Sequence, residues 1–282
     1  MWFFDAALSL FSTPTDEAHL QYFRMGLGLA CLMKFAVWFT HGAWSRMAPG
    51  GFGRYDIECR LGARRAAFVA AMYRPVLCMR VIAAAFLVAG ILPKAAAVVV
   101  MAGLLFELQY ELRSNTIYLG MMVACMLVAG NLGEGFTVIH RMSDANTWAQ
   151  FLVVLITIDL YWNSAWQKTR STHFMSGLIL AQYVGFTARA QERLRYREFY
   201  YPGVFLRLFG GGDETAVRRW RVIAVAVIVL ELALPIGLLT PALFPYAAAA
   251  GVVMHLAFMI LLPRHLIGFS LGTVSSYIAF AQ

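Results

Sequence analysis

Apolar runs of membrane length recur along most of the chain, and no other feature limits its fold as strongly. A helix needs roughly 20 residues to cross a hydrocarbon layer about 30 Å thick. Runs near that length occupy residues 20–41, 76–92, 95–112, 115–131, 148–167, 222–240, 243–262 and 265–281. Lipid offers no partners to backbone polar groups, so such runs are expected as helices that satisfy their own hydrogen bonds. Composition agrees, with 61% hydrophobic and 13% charged residues in 282. The expected fold class is all-α integral membrane. It is a polytopic bundle of about eight transmembrane helices, forming one domain over 1–282.

Prolines punctuate the runs at Pro93, Pro241, Pro245 and Pro263. A further segment, STHFMSGLILAQYVGFTAR at 171–189, reads either as a span or as a re-entrant or interfacial helix. Charge favours the second. If it does not cross, every basic residue outside the first span except Lys94 and Arg141 falls on one side, assigned to the cytoplasm. Residues 42–75 and 190–221 are then basic links. Residues 1–19 are expected as an interfacial segment carrying Trp2, Phe3, Phe4, Leu8 and Phe11. They are not a secretory signal, because no basic lead precedes the apolar run and Asp5 interrupts it. The net charge of +8 belongs to membrane-flanking arginines. Membrane lipids are thus the expected partners, anionic ones at the arginine-rich links, and nucleic acid is not.

Ionisable groups inside apolar runs are costly, and each is a functional candidate by default. Glu107 and Glu111 stand four residues apart, with Ser114 and Asn115 extending their stripe. They read either as a proton-sharing carboxylate pair or as structural partners of Arg80, Arg113 or another arginine. Glu231 is mid-run, and Lys34 and Arg24 in the first run are its expected partners. His255 is also mid-run, with no second histidine at helical spacing, so it reads as a helix–helix hydrogen bonder rather than a ligand. His173 and His140 lie near run ends. Cys31, Cys59, Cys78 and Cys125 are scattered and read as core residues. No spacing suits a metal, haem or flavin.

The stretch DLYWNSAWQK at 159–168 concentrates polarity at the end of the run VVLIT. On a helix, Lys168 stacks with Ser164 and Tyr161, while Asp159, Asn163, Gln167 and Arg170 form a second stripe. Lys168 reads either as a snorkelling helix end or as a desolvated lysine able to act as a general base. Trp162, Trp166 and Tyr161 supply either dry surroundings or an aromatic belt.

Four stretches carry a resemblance. The opening has Pro14, Thr15 and Asp16 ahead of Phe23, Arg24 and Gly28. SNTIYLGMMVACMLVAGN contributes Asn115, Tyr118 and Leu119, and YWNSAWQKTRSTHFMSGLIL contributes Tyr161, Ser164, Lys168 and Gly177. The last part places Glu231, His255, Phe269 and Ser270 in order. Together they resemble the HTTM (horizontally transferred transmembrane) family, and within it the membrane domain of vitamin K-dependent gamma-carboxylase. The family histidine is Thr116 here, its glycine is Ala165 and its tryptophan is Phe174. The resemblance covers most of the chain and ends near the end of the family's membrane domain. The carboxylase's soluble domain, which binds the glutamate-rich substrate, is not expected.

The resemblance implies an enzyme of the carboxylase-like class in a bacterial inner membrane. Lys168 would be its catalytic base and a quinone or hydroquinone its cofactor. Tyr161, Asn163, Ser164, Trp166, Asn115 and His255 would line the pocket. The substrate would be peptide or lipid-borne, with a soluble partner subunit as a further expectation. The alternative is a non-catalytic membrane partner, a peptide-maturation or immunity factor, or a small transporter, in which Arg24, Lys34, Glu107, Glu111 and Glu231 form intramembrane charge pairs.

Overall fold

A computed structural model describes residues 5, 13–40, 46–111, 113–194, 201, 203–210 and 214–281. The described chain is almost wholly helical and divides into two compact units. Unit 1 comprises Met1–Ile156 and His265–Gln282, and unit 2 Thr157–Arg264.

Unit 1 opens with a two-residue strand β1 (Thr15–Asp16), then α1 (Glu17–Thr40), α2 (Phe52–Leu61), α3 (Ala63–Ala89), α4 (Pro93–Glu107) and α5 (Ser114–Val128). Strand β2 (Met142–Ser143) pairs antiparallel with β1, Thr15 opposite Ser143. Helix α1 packs closely on α3 because Gly28 has no side chain; a Cβ there would stand 2.9 Å from the Val88 nitrogen. The α3–α4 turn uses Gly90 at φ 67° and Leu92 at φ 44°, and Pro93 starts α4 with its φ already helical.

Helix α6 (Thr147–Arg170) begins in unit 1 and ends in unit 2. Unit 2 continues with α7 (Thr172–Met175), α8 (Leu178–Leu194), α9 (Gly203–Phe209), α10 (Glu214–Leu239) and α11 (Phe244–Leu261). Gly177, at φ 76°, separates α7 from α8, and a Cβ there would lie 2.3 Å from the Arg221 nitrogen of α10. The segment 171–189 is therefore two helices around a glycine corner. Ala181 and Val184 of α8 pack with Tyr201, Phe205, Phe209 and Trp220. The Trp220 indole donates to the Phe209 carbonyl at 3.1 Å, and the Tyr201 hydroxyl to the Leu261 carbonyl at 2.9 Å. Helix α12 (Pro263–Ser276) and a 3-10 turn (Tyr277–Phe280) end the described chain, the turn packing on α1.

Three expected boundaries are corrected. The link 42–75 contains α2 and the first three turns of α3, because ARRAAFVAAMYR is a good helix former although not uniformly apolar. The link 190–221 is helical over much of its described part, taken up by the end of α8, all of α9 and the start of α10. The third expected span stops at Glu107, leaving α4 with 15 residues, roughly 22 Å of helix. Among the described residues, three helices are long and apolar enough to cross a membrane: α3, α10 and α11. Helix α5 and the stretch Leu266–Phe280 are apolar but shorter. The expected eight spans are therefore not matched helix for helix. Of the expected interfacial segment 1–19, residues 1–12 lie almost entirely outside the described residues, Thr15–Asp16 form β1, and 17–19 open α1.

Large apolar side chains stand on the surface as well as in the core, and several charged ones are buried. Ile82, Val98, Leu105, Val229, Val253 and Ile260 are exposed, whereas Arg24, Arg80, Glu107 and Glu231 are buried. Arg24 shows how burial is tolerated. Its guanidinium donates to the Leu87 and Val88 carbonyls at 2.7 and 3.1 Å and to the Gly135 carbonyl at 2.7 Å. It thus caps the negative end of α3, rather than forming the carboxylate pair expected for it.

The β1–β2 ribbon is held by charge. His140 contacts Asp16 at 2.8 Å, and Arg141 donates to Glu17 at 2.9 Å. Burial pushes the Asp16 carboxyl up, but the Ala18 amide and His140 outweigh it and hold the group below its ordinary value. A depressed carboxylate stabilises the fold above the unfolded pKa and loses that contribution as pH falls through the folded one. Asp16→Asn is expected to lower the melting temperature by a few degrees at pH 7. The gap to wild type should close as pH is lowered from about 5 to about 2.5. A gap independent of pH would show that Asp16 acts without its charge.

Candidate functional site

The last three turns of α6 present Tyr161, Ser164 and Lys168 on one face, as steps of three and four on a helix require. In unit 2 this face meets α10 and α11. Lys168 Nζ donates to Ser164 Oγ at 2.6 Å and forms an ion pair with Glu231 Oε1 of α10. Ser164 Oγ donates to the same carboxylate oxygen at 3.1 Å. The second oxygen, Oε2, is buried and has no hydrogen-bond partner among the described residues. The ammonium stands 5.7 Å from the Phe174 ring and 5.8 Å from the Phe258 ring, within cation–π range of both. One helical turn away, the Tyr161 hydroxyl and His255 Nε2 share a hydrogen bond of 2.8 Å, and the imidazole meets Phe258 edge-on.

Exposure distinguishes the two members of the ion pair. The Glu231 side chain is 3% exposed and that of Lys168 21%. The acid is sealed while the amine has an opening. Taking both charges out of water is costly, and their mutual attraction together with the Ser164 hydrogen bonds offsets that cost.

The other expected pocket residues are placed differently. Asn163 accepts from Gln167 at 3.1 Å on an exposed face, and Trp166 is exposed with the Arg170 guanidinium over its ring. The second polar stripe thus turns away from Glu231. Asn115 is half-buried in the first turn of α5, in unit 1. Phe174 and Phe258 were not singled out as pocket residues; the spacing of Phe258 from His255, three residues on one helix, was the available signal.

Unit 1 holds a second buried charge cluster. Glu107 Oε1 accepts from Lys34 at 2.6 Å and Thr116 at 3.0 Å, while Oε2 accepts from Arg80 at 2.7 Å. The Arg80 guanidinium lies 4.5 Å from the Phe35 ring centroid. Gly103 admits its stem, since a Cβ there would stand 2.9 Å from Arg80 Cβ. Glu111 pairs separately with Arg46 at 3.0 Å and with Arg113. Of the two readings of Glu107 and Glu111, the structure shows structural pairing, with Arg80 and Arg113 among the partners. One expectation is corrected: Lys34 pairs with Glu107 and not with Glu231, which takes Lys168. Among the described residues, no group of three or more His, Cys, Asp or Glu could hold a metal ion, and the four cysteines are free.

The chain matches no protein-family model, no curated protein and no solved structure.

Removing one member of a buried pair strands the other and costs about 3–5 kcal/mol. Glu107→Gln is expected to be the more damaging carboxylate change, because it leaves Lys34 and Arg80 facing each other. Thermal unfolding in detergent should show a loss of about 3 kcal/mol or more. In unit 2, Lys168→Met should destabilise by about 3 kcal/mol, and the double variant Lys168→Met/Glu231→Leu should recover most of that loss. Additive losses in the double variant would show that the two residues are not energetically coupled.

Proposed function

We propose that the chain is a polytopic integral-membrane protein of the bacterial inner membrane and an enzyme of the HTTM, carboxylase-like class. In this reading Lys168 is its base. The resemblance in the order of its sequence blocks suggests the class. One observation carries the assignment of the base: a lysine partly open to its surroundings is paired with a sealed carboxylate of the apolar helix α10.

The residues suit the implied hydroquinone. A flat, amphipathic ring with two hydroxyl groups needs aromatic walls and a few polar atoms, and Phe174, Phe258, Lys168 and Tyr161 supply both types. The unpartnered Glu231 Oε2 leaves capacity for one more hydrogen bond. When bound, a hydroquinone supplies an acidic O–H and an oxidisable ring. The chain's part is proton handling. Lys168 Nζ would be the atom that receives a proton, Glu231 the carboxylate beside it, and Ser164 the hydroxyl that holds both groups in line. Tyr161 and His255 fix the far wall. The modified substrate is peptide or lipid-borne.

The test is mass spectrometry of small molecules extracted from the chain purified in mild detergent, with Lys168→Ala and Lys168→Arg alongside. A stoichiometric quinone in wild type, lost or reduced at least fivefold in Lys168→Ala, is expected. Lys168→Arg keeps the ion pair but cannot serve as a base near neutral pH. It should retain the folded state and lose turnover. Phospholipid alone in all three preparations would overturn the quinol reading.

A further inference from the structure

A second binding surface lies on unit 1. Residues 46–74 carry Arg46, Arg54, Arg60, Arg64, Arg65 and Arg74 against Asp56 and Glu58, six cations to two anions. Arg46 pairs with Glu111 at 3.0 Å, and Arg60 with Asp56 at 2.6 Å. A cleft of about 570 Å³ opens beside Arg60 and Leu61 of α2, Arg65 and Phe68 of α3, and Leu108 and Gln109 after α4. A second cleft of about 460 Å³, also between α2 and α3, is lined by Arg54 and Arg74 among alanines, Met47 and Pro49. Each cleft places two guanidinium groups in a mainly apolar wall. Phe52, Tyr55 and Phe68 are exposed around them.

This pairing of chemistries suits an amphiphile. A guanidinium fork matches the oxygens of a phosphate group. A soluble phosphate ester would have no use for the walls of Leu61, Phe68 and Leu108, whereas a glycerol backbone and the first acyl carbons would bury against them. Exposed aromatic rings beside arginines are the usual side chains at the headgroup level of a bilayer. We infer that the α2–α3 face of unit 1 binds the phosphodiester headgroup of an anionic phospholipid, with Arg60 and Arg65 as the principal contacts. This inference rests on the membrane reading above, but not on the chemistry of Lys168.

The experiment is native mass spectrometry of the full chain in mild detergent. It is titrated with dioleoylphosphatidylglycerol, with dioleoylphosphatidylcholine, and with glycerol 3-phosphate as a competitor. Phosphatidylglycerol should bind at least fivefold more tightly than phosphatidylcholine. The preference should fall at least threefold in Arg65→Gln, whose side chain is exposed, and remain in Arg218→Gln of α10. Arg60→Gln is the second variant, with its melting temperature recorded because Arg60 also donates to the Tyr110 carbonyl at 3.3 Å. Equal binding of the two lipids, or an unchanged preference in both cleft variants, overturns the site. Competition by glycerol 3-phosphate at equal concentration shows a site for soluble phosphate esters and overturns the lipid assignment. A chain that stays in solution without detergent overturns the membrane reading instead.

Discussion

Charge buried in apolar surroundings is the constraint on which the rest of this structure depends. An isolated ion in a low-dielectric interior is not tolerable, so each must find a partner or lose its charge. Three solutions occur within the units. Arg24 spends its donors on carbonyls at the end of α3. Glu107 is closed on both oxygens by Lys34, Thr116 and Arg80. Glu231 is closed on one oxygen by Lys168 and Ser164, and its other oxygen makes no hydrogen bond among the described residues. All three fix helices to each other, and each leaves a buried polar atom without a hydrogen bond among the described residues: Arg24 Nε, Arg80 Nε and Nη2, and Glu231 Oε2.

The periodic features were legible in the sequence, and the tertiary ones were not. The Tyr161–Ser164–Lys168 face follows from helical spacing alone, and the structure places all three on one side of α6. Glu231 visibly needed a cation, but nothing in one sequence says which of Lys34, Arg24 and Lys168 faces it. That choice is made by helix packing. Apolarity also marked the helices better than their ends. Helix α3 begins thirteen residues before its apolar run, because alanine and arginine favour helix without being lipid-like. Helix α4 stops at Glu107, so the stripe drawn through Glu111, Ser114 and Asn115 assumed a continuous helix where a turn intervenes.

Replacing a buried ion pair by well-packed apolar residues is commonly neutral or stabilising. Stability therefore gives no reason to keep Lys168 and Glu231 opposite each other, when a methionine and a leucine would fill the same space. Lysine rather than arginine at position 168 narrows the reason further. Both would pair with a carboxylate, and arginine would do so with the better fork. What lysine adds is a nitrogen that can give up its proton when desolvated and take it back. Of the two side chains the lysine is the more exposed, 21% against 3% for Glu231. The Phe174 and Phe258 rings stand 5.7 and 5.8 Å from its nitrogen, so the ion pair is flanked by aromatic faces as well as held by Ser164.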